Sequence, residues 1–376
     1  MRSIAYVVAL LSLIYAVNVS ATSNTQDEIA LLKAQLKLLQ QKIEALEKAQ
    51  ANHSAAKKSA PNPGMDKPGK AKPDKDLKFY ATIRPTYGYI DNAGESTTDV
   101  RDALSHMGIK STHQFSNEFK ATLHGEWGID LSNNGDFGKA RQVYVAFDTP
   151  LGEVGIGKQR PAQYLYIAEY IDIFNHASSP FAYDPESIFF VNNFLTYSKQ
   201  FGDFTFKAGA QYDGENGDNY SDLFNAGLSY DVDNLHLAMT YQNNQVYDAE
   251  THLGENSILA FSGAYTFPSD LYLAVGYQDK QYDRIISNDR DGSTFDISLG
   301  YPITKHYKLK LGYFDFDDGQ DNSGDGFDGY NVTLEWLPAD KLRFHLEYLT
   351  KDYANNTGFD SISVGFRYDY IKFLDE

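Results

Sequence analysis

The feature that most constrains this chain is a period-two alternation of apolar and polar residues that runs from residue 77 to residue 370. In the segment "NLHLAMTYQ", residues 234 to 242, large apolar side chains share one face, while His236, Thr240 and Gln242 share the other. The segments "YKLKLGY" (307 to 313) and "KLRFHLEYL" (341 to 349) repeat the pattern with charged residues on the polar face. The pattern predicts an all-β fold of many strands, each with one apolar and one charged face.

The connections between these strands alternate in length. Short turns are predicted at residues 148–152, 200–203, 231–234, 267–270, 302–306 and 337–341, and long polar loops at 213–222, 243–256, 279–292 and 315–326. From Phe79 to Tyr370 this pattern gives about sixteen antiparallel strands in up-and-down order, with about eight long loops at one end.

So many strands cannot close around an apolar interior, because side chains cannot fill so wide a barrel. An apolar exterior that contacts lipid and a charged lumen that holds water satisfy both faces, and closure leaves no unpaired edge in the bilayer. Tyr277 and Tyr348 lie near predicted strand ends, as in the interfacial girdles of such barrels. We therefore predict a 16-stranded antiparallel transmembrane β-barrel over residues 77–376, rather than a soluble β-sandwich or lectin-like protein.

Three different segments precede the barrel. Residues 1–21 combine Arg2, an apolar run and small residues before the predicted cleavage point, which is typical of a secretory signal peptide. Residues 22–50 predict a coiled-coil helix, with an amphipathic helix lying on its own domain as the alternative. The core positions of this zipper are Ile29, Leu32, Leu36, Leu39, Ile43 and Leu46. Residues 51–76 are rich in Lys, Pro, Ala and Gly and predict a linker, whose Lys residues could instead contact an anionic polymer or lipid surface.

Charge and motif content limit the function. From Leu77 onward the chain has 22 Lys and Arg against 44 Asp and Glu, so it lacks the basic surface that nucleic acids require. No G-x-S-x-G, H-E-x-x-H or glycine-rich phosphate motif occurs, so we predict no enzyme and no cofactor, with a barrel hydrolase as a remote alternative. The loop "DNSGDG", residues 321 to 326, has calcium-loop spacing, but Val332 replaces the required Glu, and no metal site is predicted.

Two segments resemble the early hairpins of Gram-negative general porins: "SHMGIKSTHQFSNEFKATLHGEWGID" (105 to 130) and "RQVYVAFDTPLGEVGIGKQRPAQY" (141 to 164). The resemblance covers residues 77 to 370 and implies a trimer of barrels, each narrowed by its third loop, here residues 162–190. His106 stands where many porins have Arg, and the loop lacks the family's Pro-Glu-Phe-Gly-Gly tip. The N-terminal zipper resembles the periplasmic coiled coils of some uptake porins, and a three-stranded zipper would hold three barrels in register.

The resemblance and the alternation select candidate residues for the channel. The third loop contributes the constriction candidates Glu169, Asp172, Tyr183, Asp184 and Glu186. The inward strand faces contribute the pore-wall candidates Arg84, His106, Lys110, Lys120, Glu126, Arg141 and Arg343. Further charges predicted to face inward are Lys207, Lys308, Lys310, Arg367, Glu118, Asp296, Glu335 and Glu347. Loop acids facing wall bases would create a transverse field, and Asp184 with Glu186 would then give a modest cation preference.

We therefore expect an outer-membrane porin that forms a water-filled channel for passive diffusion of ions and small hydrophilic solutes. A substrate-selective uptake porin for anionic or saccharide solutes is the alternative. The expected partners are two further copies of the chain in a homotrimer, outer-membrane lipid and lipopolysaccharide, the solutes and, through the N-terminal segment, peptidoglycan. The expected location is the outer membrane of a Gram-negative cell, with the N-terminal segment in the periplasm.

Overall fold

The computed structural model describes residues 76–133, 135–175, 177–178, 180–183, 187–212, 222–248, 251–320 and 325–374. The predicted signal peptide, zipper and linker (to residue 75) lie outside the described residues, as do Asp184, Glu186 and residues 321–324 of the candidate calcium loop. Within the described ranges, no helix is long and apolar enough to cross a membrane.

The described chain contains eighteen strand segments and two short helical segments. The strands are β1 Asp76–Ile83, β2 Pro85–Asn92, β3 Glu95–Asp102, β4 His106–Gln114, β5 Lys120–Ile129, β6 Phe137–Thr149, β7 Gly152–Gln159, β8 Val191–Phe201, β9 Phe204–Gln211, β10 Leu223–Val232, β11 Leu235–Asp248, β12 Thr251–Thr266, β13 Tyr272–Arg284, β14 Arg290–Thr304, β15 Tyr307–Asp317, β16 Phe327–Ala339, β17 Leu342–Tyr353 and β18 Gly358–Leu374. Between β7 and β8 lie α1 Tyr164–Ala168, which has π-helical hydrogen bonds, and α2 Glu169–Ile171.

These segments form sixteen barrel strands, because two of the strands are interrupted. β1 and β2 are the halves of the first barrel strand, and β3 and β4 are the halves of the second, since β2 pairs with β3 and β1 with β4. Every later strand pairs antiparallel with the next, and β18 pairs with both halves of the first strand. Leu77 lies opposite Leu374, so the last strand closes the barrel on the first. The prediction of a closed 16-stranded antiparallel barrel is confirmed.

The two faces of the strands carry the side chains that the alternation predicts. In β17, Leu346 is 49% exposed and Tyr348 41%, whereas Glu347 between them is fully buried. In β15, Leu311 is exposed and Lys310 is buried. Large apolar side chains on the outside suit hydrocarbon, and the polar side chains occupy the interior, which is the arrangement that a membrane-spanning barrel requires.

The two ends of the barrel differ in their connections. The end that holds both termini of the barrel, residues 76 and 374, has short turns at 115–119, 150–151, 202–203, 233–234, 267–271, 305–306 and 340–341, so the predicted placement of the tight turns is confirmed. The opposite end, here the loop end, carries residues 160–190. The prediction of eight long loops at this end was wrong, because β2 and β3 are joined by residues 93–94 alone and β17 and β18 by residues 354–357. The predicted loops at 243–256 and 279–292 were too wide, because β11 to β14 continue their backbone pairing into these polar residues.

Candidate functional site: the lumen and its third loop

The described residues of the third loop, with Arg160 and Pro161 before it, fold back against the inner wall of the barrel. Buried loop side chains form an apolar cluster with wall residues of β12, β15 and β16; its members include Ile167, Ile171, Phe174, Phe181, Tyr183, Ile258, Ala260, Phe314, Phe316 and Phe327. Close packing of this kind fixes the position of a segment that would otherwise be free in water. The loop therefore narrows the lumen from one side.

Glycines on the wall make room for the loop. A Cβ atom on Gly276 would lie 2.2 Å from Cδ1 of Ile171, and one on Gly227 would lie 2.9 Å from Cδ2 of Tyr166. Both distances are far below a normal carbon contact. The helical part of the loop can approach the wall this closely only because these two wall positions have no side chain.

Polar side chains of the wall bind the backbone of the helical part of the loop. Ser262 Oγ donates to the carbonyl oxygen of Tyr166 at 2.6 Å, and Tyr272 OH donates to that of Tyr170 at 2.5 Å. Ser298 Oγ donates to the carbonyl oxygen of Ile171 at 2.8 Å. The carbonyl of Ile171 also accepts from the N–H of Ile173 at 2.9 Å. The wall side chains thus add hydrogen bonds to backbone groups near the end of the helical part and fix it in place.

A histidine supports the same part of the loop. The ring of His236 stacks on that of Tyr170, with centroids 3.4 Å apart and planes inclined by 6°. Its Nδ1 lies 2.7 Å from Oδ1 of Asp231, and its Nε2 lies 2.9 Å from the carbonyl oxygen of Tyr166. The imidazole thus connects a wall carboxylate to the loop backbone.

A buried ion pair holds the segment that follows α2. Lys310 Nζ lies 2.6 Å from Oε1 of Glu335, and Asn175 Nδ2 donates to the same oxygen at 2.7 Å. Lys310 also donates to the carbonyl oxygen of Ile173, and the N–H of Asn175 donates to Glu347 at 3.3 Å. Because each buried charge has a partner, the loop is fixed to the wall by charged as well as apolar contacts.

Three arginines lie together on neighbouring strands. Arg343 in β17 is directly opposite Arg367 in β18, and Arg84 lies at the junction of β1 and β2, which pair with β18. Nε of Arg367 donates to Oδ1 and Oδ2 of Asp369, at 2.9 and 3.0 Å. Oδ2 of Asp369 also lies 3.8 Å from Nη2 of Arg343. Arg84 Nη2 donates to the carbonyl oxygen of Phe174 in the loop at 3.4 Å. Oε1 of Glu335, which also pairs with Lys310, lies 3.7 Å from Nη1 of Arg343. Four basic groups therefore face two carboxylates, Asp369 and Glu335, so the site is basic.

Loop acids lie near these bases. Asp172, which follows α2, has its side chain exposed to the lumen and is attracted by Arg84, Lys310 and Arg367. Burial raises the pKa of Glu169 in α2 to about 7, although the neighbouring Arg160 opposes the shift. Asp172 is therefore a loop acid that interacts electrostatically with bases of the wall.

A second cluster surrounds Glu126 on the wall. Arg141 Nε lies 2.8 Å from its Oε1, and Tyr80 OH donates to its Oε2 at 2.7 Å. His106 Nε2 lies 3.9 Å from the same Oε2. The guanidinium of Arg141 also lies over the ring of Phe190, 4.9 Å from its centroid, so this wall cluster contacts the end of the loop.

The remaining predicted site residues lie at different places. Lys110 is on the inner face of β4, and Lys120 pairs with Asp148 at 3.0 Å near the turns, away from the third loop. Tyr183 is fully buried between loop and wall, so its side chain packs instead of lining the opening. The prediction that Glu118 faces the lumen was wrong, because β4 ends at Gln114 and Glu118 lies in an exposed turn.

Sequence reasoning missed several residues at the site. Asp369 lies two positions after Arg367, so the period-two pattern places it on the same face and could have identified it. Arg160 directly precedes Pro161 where β7 ends, and its guanidinium lies 3.7 Å from the ring centroid of Tyr164. The period of two places His236 on the inward face, but its contact with the loop, like that of Asn175 with the wall, depends on residues distant in sequence and carries no sequence signal.

Comparisons with known proteins agree with this architecture. A family model described as Gram-negative porin matches residues 49–371. An anion-selective porin from Comamonas acidovorans is 17% identical with a TM-score of 0.66, and the match covers 79% of this chain and 100% of that one. The trimer form of OmpT, an outer membrane protein of Vibrio cholerae, is 18% identical with a TM-score of 0.60, over 79% and 99% of the two chains. The outer membrane channel DcaP of Acinetobacter baumannii is 12% identical with a TM-score of 0.61, over 81% and 99%. No curated protein matches the sequence.

Proposed function

This chain belongs to the Gram-negative porin family, and we propose that its channel prefers anions. It is an outer-membrane porin, whose water-filled barrel allows passive diffusion of ions and small hydrophilic solutes. Family and fold indicate a channel rather than an enzyme. The observation that supports an anion preference is the group of Arg84, Arg343 and Arg367 on the wall.

The described charged groups around the third loop are equal in number, so the anion preference depends on the close grouping of Arg84, Arg343 and Arg367. The bases there are Arg84, Arg141, Arg160, Lys280, Lys308, Lys310, Arg343 and Arg367, and the acids are Glu126, Glu169, Asp172, Asp231, Asp296, Glu335, Glu347 and Asp369. Because the pKa of Glu169 is about 7, this carboxyl is only partly ionised at neutral pH. Charges beyond a Debye length of about 8 Å are screened at physiological salt, so this local balance outweighs the acidic exterior.

This proposal departs from the cation preference expected from the sequence. That expectation depended on Asp184 and Glu186, which lie outside the described residues. The same arginines favour anionic over saccharide solutes for the alternative function, a substrate-selective uptake porin, because guanidinium groups bind carboxylates and phosphates in a bidentate manner. The structural similarity to an anion-selective porin from Comamonas acidovorans supports this direction.

Reversal potentials in planar bilayers under a KCl gradient test the proposal. We expect the wild type to be anion-selective and the double variant Arg343→Gln/Arg367→Gln to move toward cation selectivity. Lys120→Gln is the control, because it removes one positive charge near the turns, where Lys120 pairs with Asp148. The double variant removes two charges, so shifts are compared per charge removed. A cation-selective wild type would refute the proposal, and so would an equal shift per charge in the arginine variant and the control.

We also propose that three barrels assemble into a homotrimer, with the end that holds residue 76 facing the periplasm. The similarity to the trimer form of OmpT and the predicted zipper of residues 22–50 support this proposal. A linker rich in Lys would then place the zipper near the cell wall, where peptidoglycan is the proposed partner. The mass of the full-length protein in mild detergent, compared with that of a variant lacking residues 22–50, tests whether the zipper contributes to the trimer.

A further inference from the structure

The barrel wall is irregular where β1 gives way to β2 and β3 to β4. Asp102 in β3 pairs with Pro85, and His106 in β4 pairs with Thr82, so three residues of the second barrel strand face two of the first. One extra residue on one strand is a β-bulge, a feature that re-aims a side chain. Pro85 has no N–H group and therefore suits such a break in the hydrogen-bond ladder. The residue beside the bulge is Arg84.

Side chains replace the ladder hydrogen bonds that the bulge removes. The N–H of Arg84 donates to Ser105 Oγ at 2.7 Å, and the N–H of Ser105 donates to Asp102 Oδ1 at 2.6 Å. The N–H of Ala103 donates to the carbonyl oxygen of Arg84 at 2.9 Å. Between them, Leu104 has a φ of 69°, in the left-handed region that favours glycine. Backbone strain in a membrane-spanning strand, held by specific side-chain hydrogen bonds, indicates a functional constraint.

Arg84 lies on the strand opposite the bulge, and its side chain connects the wall to the third loop. Its Nη2 donates to the carbonyl oxygen of Phe174, and its charge is attracted by Asp172 and repelled by Arg343 and Arg367. Repulsion by Arg343 and Arg367 would move the guanidinium of Arg84 away if electrostatics alone determined its position. Its backbone therefore needs an independent fixed position.

We propose that Asp102 and Ser105 are positioning residues, which hold the bulge so that Arg84 points at the third loop and contributes to ion selectivity. The proposal rests on the anion preference proposed above. The extra residue lies in the second barrel strand, so Thr82, Arg84 and Thr86 stay on the inward face of the first. The hydrogen bond from the Arg84 N–H to Ser105 fixes the backbone of Arg84 at the point where the regular ladder is interrupted. The short polar side chains of Asp102 and Ser105 supply the two acceptors that make the irregular pairing stable.

Four full-length variants test the positioning role. Ser105→Ala removes the acceptor of the Arg84 N–H, Ser105→Thr keeps a hydroxyl there, and Arg84→Gln removes the charge itself. Ser111→Ala is the matched control, because Ser111 lies on the same barrel strand and shares the face of the exposed Ile109. Reversal potentials under a KCl gradient are the readout, since a variant that is only less stable gives fewer channels with unchanged selectivity.

We expect Ser105→Ala to move the reversal potential toward cations by at least about half of the Arg84→Gln shift, and Ser105→Thr to restore the wild-type value. Adding Ser105→Ala to Arg84→Gln should cause no further shift, because both changes act through one guanidinium. A full Arg84→Gln shift with no effect of Ser105→Ala, or additive shifts in the double variant, would refute the positioning role. An Arg84→Gln channel with wild-type selectivity would instead refute a role for Arg84 in the proposed anion preference. If Ser105→Ala does not assemble, Asp102→Asn weakens the acceptor of the Ser105 N–H and is judged by the same criteria.

Discussion

The contact between Gly276 and the third loop allows a quantitative test of how the loop narrows the channel. In Gly276→Ala the new Cβ would lie 2.2 Å from Cδ1 of Ile171. Carbon atoms pack at about 3.5 to 4.0 Å, so Ile171 would have to move by about 1.3 to 1.8 Å toward the lumen. Ile171 is only 1% exposed within a packed cluster, which leaves no space for a simple rotation of its side chain.

Such a displacement would also weaken the polar contacts of the helical part of the loop. A shift of the loop backbone by this distance would break the hydrogen bonds from Ser298 to the carbonyl of Ile171 and from Tyr272 to that of Tyr170, which are 2.8 and 2.5 Å long. At about 0.5 to 1.5 kcal/mol each, their loss costs about 1 to 3 kcal/mol. The ratio of displaced to docked loop should therefore rise by about 5- to 150-fold.

Single-channel recording in planar bilayers measures the consequence. We expect Gly276→Ala to have a lower mean conductance and more frequent transitions between conductance levels than the wild type. Gly263→Ala is the control, because its Cβ would meet Leu237 at 3.3 Å on the exposed side of the wall and would not touch the loop. Wild-type conductance in Gly276→Ala, or equal changes in both variants, would refute the contribution of this contact to the constriction.

Further predictions concern assembly, pH and stability. Replacing Leu36 and Leu39 by Asp should lower the temperature at which trimers dissociate in mild detergent, and an unchanged temperature would assign the helix to another contact. Because the pKa of Glu169 is about 7, its carboxyl gains negative charge as the pH rises from 6 to 8, so cation permeability should increase over that interval and Glu169→Gln should abolish the increase. Lys310→Met leaves the buried Glu335 without its nearest cation and should destabilise the barrel by about 3 to 5 kcal/mol in urea unfolding, whereas a loss below about 1 kcal/mol would show that Arg343 compensates.

The barrel itself was predictable from the sequence because its determinants are local. Leu346 and Glu347 are neighbours, and their opposite exposure follows from the period of two alone. The short turns carry their own signals, such as Asp233, which adopts a positive φ of 50° between β10 and β11. A repeating local signal needs no knowledge of distant contacts.

The site was less predictable because its determinants are distant in sequence. The approach of Ile171 to Gly276 joins the third loop to strand β13, about a hundred residues later in the sequence, and no local pattern indicates that a glycine there accepts a helix. Tyr183 was a reasonable constriction candidate by position, yet the loop turns its ring into the apolar cluster. The only sequence signal of the bulge opposite Arg84 is Pro85 within a strand. A proline alone does not specify which residue of the paired strand has no partner.

The closure of the barrel by the pairing of Leu77 with Leu374 has a consequence for biogenesis. The first strand has no partner on one edge until the last strand has been made and exported, so closure is the most non-local step of folding and should be slow. A chain truncated before β18 would leave two open edges, whose backbone groups cannot be satisfied in hydrocarbon. A barrel without its C-terminal strand is therefore unstable in the membrane, so completion of the last strand is a condition for stable insertion.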